Sequence, residues 1–310
     1  MSTIEEAARR RPSRTSRRGG ETGASGPRTS SGVPWVLPAM LVSAVVIYYC
    51  IGYTGYISTL DWNGVSPDQD HVGWSNYSRL ASDPVFWKAL WHTAVYYAAT
   101  TIGQLGMGFV FAALLHSKVA LRPVYKVIVF IPSVIAPATM APVFRQMFSP
   151  SGEINGVLDA LGLEGLGQSW LASPGTALVV VILIQIWLST GVAFILYYAA
   201  MGQVDTETIE AARLDGAGNL RVLRSVVWPS CRGTTVALMT LSAIASLKTF
   251  DVPYLVTGGG PNYGTEFLGT LIYRTSVPNS DVGYGAAISM VLLVLAIVAA
   301  VASFRSGRER

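Results

Sequence analysis

Along this chain the apolar residues gather into long unbroken stretches. No charged residue occurs between Arg28 and Asp61, Lys88 and Lys118, Glu164 and Asp205, or Asp281 and Arg305. A hydrocarbon core about 30 Å thick is crossed by roughly 20 apolar residues in helical form. Each stretch is long enough, which makes this a polytopic membrane protein. Two further stretches, 124–147 and 233–257, are interrupted, the first by Pro132, Pro137 and Pro142, the second by Lys248 and Asp251. Such residues are tolerated in spans that face other helices or water. The pattern therefore predicts an all-α bundle of six transmembrane helices at 35–59, 90–115, 124–147, 175–201, 233–257 and 282–304. The runs are too long and too continuous for the alternating strands of a barrel.

Composition and charge add orientation. The chain has 310 residues, of which 51% are hydrophobic and 13% charged, against about 25% charged in an ordinary soluble domain. If the amino terminus is cytoplasmic, seventeen Lys and Arg fall on the inner side and four on the outer, with Lys248 inside a span. Positive residues collect on the cytoplasmic side, so both termini are expected in the cytoplasm. The net charge of +4 then follows from topology and calls for no nucleic-acid partner. Residues 1–33, rich in Arg, Ser, Gly and Thr, bury too little apolar surface to order and are expected to be a disordered basic tail. A short tail, 305–310, follows the 34–304 membrane domain. Cys50 and Cys231 fall on opposite sides and are not expected to pair. No Cys/His cluster suggests a metal, and no cofactor is expected.

Several loops carry features with two readings. The outer loop 60–89 holds Asp61, Asp68, Asp70 and Asp83 with Trp62, Trp74, Tyr77 and Trp87; the aromatics mark either the membrane interface or the docking of an external partner. Loop 148–174 places Ile154, Val157, Leu158 and Leu161 at helical spacing and predicts a turn and a short amphipathic helix. "TGGGPNYGTE" at 257–266 lacks the Lys-Ser/Thr that follows in a phosphate loop, and reads as a turn. His92 and His116 lie near span ends and are not read as ligands.

The most unusual stretch is 203–232, a charged interruption between two apolar runs. Asp205 or Thr206 can cap a helix, with Glu207 and Glu210 suiting the positive end of its dipole. Gly216 can take the left-handed conformation that stops it, Asn219 can cap a second helix, and Leu220, Leu223 and Val227 share one face of that helix. Pro229 fits the first turn of the next span. From the residues alone this is either a compact helix–turn–helix on the cytoplasmic side or an ordinary connector lying on the membrane.

"EAARLDGAGNLRVLRSVVWP" (210–229) resembles the EAA loop of permease subunits in binding-protein-dependent ABC importers. The family pattern is Glu-Ala-Ala, three residues, Gly, then nine residues to an aliphatic-x-Leu-Pro ending. Glu210, Ala211, Ala212, Gly216 and Val226 to Pro229 match its spacing; Trp228 stands where Leu is usual. "VGWSNYSRLASDPVFWKALWHT", "FIPSVIAPATMAPVFRQMFSPSGEINGVL" and "LKTFDVPYLVTGGGP" resemble segments of the carbohydrate-uptake branch, and the likeness covers roughly 34–304. The resemblance implies a cytoplasmic coupling helix, with Glu210, Ala211, Ala212, Asp215 and Gly216 seated in a cleft of an ATPase subunit. It also implies a second permease subunit, two ATPase subunits and an extracytoplasmic solute-binding protein that delivers a sugar, expected to be an oligosaccharide. The alternatives are an importer permease for another solute, or a membrane transporter or enzyme not driven by ATP. The chain lacks GxxxxGK[ST] and has no nucleophile–base constellation, so it is expected to be a transport subunit and not an enzyme.

A substrate pathway is expected on two segments. "IQIWLST" offers Gln185, Trp187 and Ser189, an aromatic face for a sugar ring and amide and hydroxyl groups for its hydroxyls. Lys248, Thr249 and Asp251 form the other. Lys248 and Asp251 stand three apart on the predicted helix, so they either pair with each other or line the pathway.

Overall fold

In the computed structural model the described residues are 33–117 and 119–308, with side chains from 35 to 302. The basic tail therefore lies outside the described residues, apart from Val33 at the start of the first helix. The elements are α1 (Val33–Ile57), β1 (Leu60–Asp61), β2 (Asp70–His71), α2 (Ser75–Ser82), α3 (Pro84–His116), α4 (Arg122–Phe130), α5 (Pro137–Met147), α6 (Glu153–Ala160), α7 (Pro174–Met201), α8 (Thr206–Leu214), α9 (Asn219–Val222), α10 (Trp228–Ser230), α11 (Arg232–Leu247), α12 (Asp251–Thr257), α13 (Leu268–Ser276) and α14 (Val282–Arg308). A two-residue antiparallel ladder, Leu60 opposite His71 and Asp61 opposite Asp70, is the departure from an all-helical chain.

Among the described residues four helices are long and apolar enough to cross a membrane: α1, α3, α7 and α14. The two interrupted stretches are not single straight helices. The 124–147 stretch divides into α4, a 3-10 turn at Ile131–Val134 and α5, with a 95° bend. Pro132 and Pro137 explain the break, since each removes a backbone donor and crowds the preceding turn. The 233–257 stretch divides into α11 and α12 with a 47° bend. Pro253 lacks the N–H that would bond the Thr249 carbonyl, four residues back. That carbonyl lies where Gly269 leaves room: a Cβ there would come 2.5 Å from the Thr249 oxygen. Among the described residues the count is thus four spans, or up to six if each bent pair is one span.

Helix α3 has 33 residues and starts six residues before the predicted boundary. Asp83 caps it by accepting a hydrogen bond from Val85 N at 2.8 Å, and Pro84 occupies the first turn, a position where a missing N–H costs nothing. Lys88, which limited the apolar run, reaches the Asn262 carbonyl at 2.7 Å.

Contacts set the helix directions. A Cβ on Gly103 would meet Ile186, one on Gly108 would meet Ala193, and Phe109 packs edge-on to Tyr197. The numbers rise together, so α3 and α7 run parallel, and the chain between them must return to its starting end. Between α3 and α11 they run opposite: Gln104 bonds Ser242, and Thr249 donates to Tyr96 Oη at 3.0 Å. These two helices are antiparallel.

Three apolar clusters follow. One joins Phe109, Leu115, Phe194, Tyr197, Met201, Cys231 and Leu238 near the ends of α3 and α7. A second joins Tyr96, Val180, Ile184, Leu188, Val252, Val256 and Phe267. The third joins Leu80, Phe86, Leu268, Leu271, Tyr284 and Ile288 at the start of α3. There Arg79 pairs with Asp281 at 2.7 Å, and Tyr284 Oη donates to Asp83 at 2.7 Å, tying α2 and α3 to α14.

Candidate functional site: a cavity between broken helices and a charged elbow

The larger cavity, about 410 Å³, lies where both broken segments meet the continuous helices. Helix α3 contributes Tyr96, Thr100 and Gln104; the 3-10 turn contributes Ser133; α7 contributes Gln185 and Ser189. The break after α11 contributes Lys248, Thr249 and Phe250, and Asp251 opens α12. A chain break in a membrane is stable where it lines a cavity or is covered by protein. Here each break also places polar side chains. Ser133 Oγ donates to the Leu188 carbonyl at 2.6 Å, joining the 3-10 turn to α7. Gln185 Nε2 donates to Ser189 Oγ at 2.7 Å.

Of the six expected pathway residues, five line this cavity: Gln185, Ser189, Lys248, Thr249 and Asp251. Trp187 is placed elsewhere, half a turn around α7, with its ring edge-on to Phe144 at 5.5 Å. The helical spacing of Lys248 and Asp251 does not survive, because the helix ends between them. Among the described residues neither forms an ion pair; both side chains are exposed to the cavity. Residue-by-residue reading missed Tyr96, Thr100, Gln104 and Ser242. A signal was present: Tyr96, Thr100 and Gln104 repeat every four residues within an apolar run, a polar stripe on one helix face.

The charged elbow lies beyond the cavity, after the end of α7. Asp205 caps α8 by accepting from Glu207 N at 3.0 Å. Gly216 has φ of +80°, and Gly216 N and Ala217 N donate to the carbonyls of Arg213 and Ala212, each at 3.0 Å. This is a complete Schellman ending, for which a residue without Cβ is suited. Glu210, Ala211, Asp215 and Gly216 are exposed, and Ala212 is half-buried. Leu214 at 89% and Leu220 at 79% exposure carry apolar side chains into the open. Leu220 therefore leaves the face expected for it, while Leu223 and Val227 pack on the core. The helix after the turn is capped by Gly218, with Asn219 as its first residue.

Trp228 accounts for the departure from the aliphatic-x-Leu-Pro ending. Its ring stands edge-on to Phe109 at 4.6 Å and stacks on Tyr197 at 6.4 Å. Edge-on aromatic pairs add about 0.5–1.5 kcal/mol beyond area burial. Trp228 thus fastens the elbow to α3 and α7 together, beside the packing of Leu223 and Val227. Its free face is α8, which touches little else in this chain.

The profile of the family described as "Binding-protein-dependent transport system inner membrane component" matches residues 104–306. The chain is 30% identical over 281 residues to the probable ABC transporter permease protein YurN of Bacillus subtilis, covering 89% of this chain and 96% of that one. It is 27% identical to the multiple sugar-binding transport system permease protein MsmF of Streptococcus mutans, covering 90% and 95%. Among solved structures, a bacterial ABC transporter involved in the import of the acidic polysaccharide alginate shares the fold, with a TM-score of 0.74 at 22% identity over 89% of this chain and 96% of that chain.

Proposed function

The chain belongs to the family of binding-protein-dependent transport system inner membrane components, and from that premise we propose that it is a permease subunit of an ABC importer that moves a sugar through the 410 Å³ cavity. The observation that carries this reading is the pairing of that cavity, midway along α3 and α7, with an exposed, Schellman-ended α8 in the Glu-Ala-Ala–Gly spacing just beyond the end of α7. The sugar assignment draws on relatives named for sugar transport, MsmF among them, and on the cavity's amides and hydroxyls.

In this reading each bent pair is one span, so six spans place both termini in the cytoplasm with α8. The partners are a second permease subunit, two ATPase subunits that seat Glu210, Ala211, Ala212, Asp215 and Gly216, and an extracytoplasmic solute-binding protein. ATP is hydrolysed in the partner subunits. Closure of the ATPase pair moves α8, and Trp228 passes that movement to Phe109 on α3 and Tyr197 on α7. The breaks at Ile131–Val134 and Lys248–Phe250 let their segments reorient around the cavity while α3 and α7 stay packed. To shift the bundle from 1:99 to 99:1 between two conformations, ATPase closure must favour one of them by about 5.5 kcal/mol.

Uptake of a labelled sugar panel by the reconstituted complex tests the substrate class; transport of a non-sugar solute alone rejects it. Gly216→Val tests the coupling role. A side chain in the left-handed region costs about 1–2 kcal/mol, and no neighbour lies within 4 Å to block it, so the change distorts the end of α8 and spares the bundle. Uptake is expected to fall at least about tenfold while the chain stays inserted; full uptake with normal ATPase capture refutes the role. A reporter fused after Arg310 is expected to read as cytoplasmic.

A further inference from the structure

A second cavity, about 320 Å³, lies at the end of the bundle away from α8, between α12, the Gly-rich loop that follows it, and α13. Glu266 lines it, with a side chain 0% exposed; Oε1 has no hydrogen-bond partner, and Oε2 has Arg274 as its charged partner. Arg274 Nη2 stands 2.8 Å from Glu266 Oε2, while the same nitrogen donates to the Gly258 carbonyl at 2.8 Å and the guanidinium lies over the Tyr263 ring at 5.1 Å. Tyr254 and Tyr273 form an aromatic corner, ring centroids 4.9 Å apart at 66°. Tyr254 also stacks on Phe250 at 4.9 Å and 15°, and Phe250 lines the larger cavity. One aromatic wall therefore runs from the first cavity to the second.

An ionised carboxylate is an acceptor with about four lone-pair sites. Burying those sites without donors costs free energy, and such a group in a native fold calls for an explanation. Arg274 takes Oε2 and leaves Oε1 without a donor. What completes the site is a ligand that donates hydrogen bonds, brings no net charge, and presents a flat apolar face to Tyr254 and Tyr273. A sugar ring has all three properties: hydroxyl donors, neutrality, and C–H faces that pack on aromatics. The larger cavity repeats the charge pattern, with one cation, Lys248, and one anion, Asp251.

Resting on the sugar reading above, we propose that the second cavity is a further glycosyl subsite, where Glu266 accepts a hydrogen bond from a ring hydroxyl and Tyr273 and Tyr254 hold the ring, and that the transported saccharide is uncharged. The Phe250–Tyr254 stack is the surface along which a ring passes from this subsite to the transmembrane cavity. A saccharide of more than one unit can engage both cavities at once.

The test is equilibrium binding of labelled saccharides to the assembled complex in detergent, without the solute-binding protein. The probes are a neutral disaccharide, a neutral trisaccharide and a uronate-containing disaccharide. Tyr273→Ala and Glu266→Gln are each expected to weaken trisaccharide binding at least about tenfold, Tyr273→Phe to retain it, and the uronate probe to bind at least about tenfold more weakly than the neutral disaccharide. Unchanged affinity in both variants, with Gln185→Ala still weakening binding, overturns the subsite and leaves the sugar reading standing. A uronate probe bound as tightly as the neutral one overturns the uncharged substrate. A wild-type complex that binds no saccharide and takes up another solute overturns the sugar reading itself. If Glu266→Gln does not assemble, Tyr273→Ala decides the matter, because that ring is half-exposed and outside the core clusters.

Discussion

Helices α3 and α7 and the two broken segments line the same cavity and are built on opposite plans. Between α3 and α7 the contact is close and continuous. A Cβ on Gly108 would lie 2.7 Å from Ala193 Cβ and 2.9 Å from Phe194 N, so only glycine admits this approach. Small residues at helix crossings bring backbones together, and packing is the main force between helices in lipid. The α4–α5 and α11–α12 segments give up continuity instead. They lose backbone hydrogen bonds at the breaks and gain polar groups facing a cavity. The contrast assigns work: the continuous pair is the frame, and the broken pair forms the site.

The strongest way to break this contrast is to damage the frame. Gly108→Val inserts a branched side chain against backbone, and overpacking of this kind costs about 1–3 kcal/mol or more. A large fall in the melting temperature of the purified chain, and loss of inserted protein, are expected. If the variant is as stable as the wild type, the frame is not set at Gly108.

A change within the break is expected to affect transport and spare stability. Lys248→Ala and Asp251→Ala should each lower sugar uptake severalfold, at unchanged melting temperature. Because the two side chains do not pair here, exchanging their charges (Lys248→Asp with Asp251→Lys) should not restore uptake. Recovery in the exchanged variant would mean that they pair during transport.

A smaller effect joins the two plans. Gln104 on α3 and Ser242 on α11 are both buried and hydrogen-bonded to each other. A double-mutant cycle with Gln104→Leu and Ser242→Ala should give a coupling near 0.6 kcal/mol, the usual size for a polar contact between helices in lipid. Zero coupling would mean that α11 is held to the frame by packing alone.

The smallest expected effect is a pH dependence outside the spans. Burial pushes the Glu266 carboxyl above the usual range, against the opposing pull of Thr270 and Arg274. A raised carboxyl pKa means that the fold favours the protonated form. Its contribution to stability is then complete below the ordinary carboxyl range and is lost as pH rises through the folded value. Hydrogen exchange of the 258–267 amides, corrected for intrinsic rates, should show more protection at pH 4 than at pH 7, and Glu266→Gln should abolish the difference. An unchanged difference in that variant would assign it to another group.

Much of the frame was legible in the sequence because lipid imposes a simple rule: backbone polar groups must be satisfied within the segment, so long apolar runs become helices. The α8 ending was legible for a similar reason, since Asp205 and Gly216 act on their immediate neighbours. The site was legible only in part. Gln185 and Ser189 interrupt an apolar run and line the larger cavity, whereas Trp187 lies outside its lining, because helical spacing alone does not say which face meets a cavity. Glu266 escaped notice in a glycine-rich loop, since nothing in its neighbours announces a buried carboxylate.

Local chemistry along the chain was thus enough to determine how many apolar stretches exist, that they are helical, and that a capped amphiphilic elbow separates two of them. Tertiary structure alone decided that α3 and α7 run parallel, that Lys248 and Asp251 part company at a break, that Trp228 clasps Phe109 and Tyr197, and that a carboxylate is enclosed beside three tyrosines. The physical reason is range. Helix formation and capping depend on residues within about four positions, whereas bends, cavities and burial depend on side chains brought together from more than a hundred positions apart, such as Gln104 and Ser242.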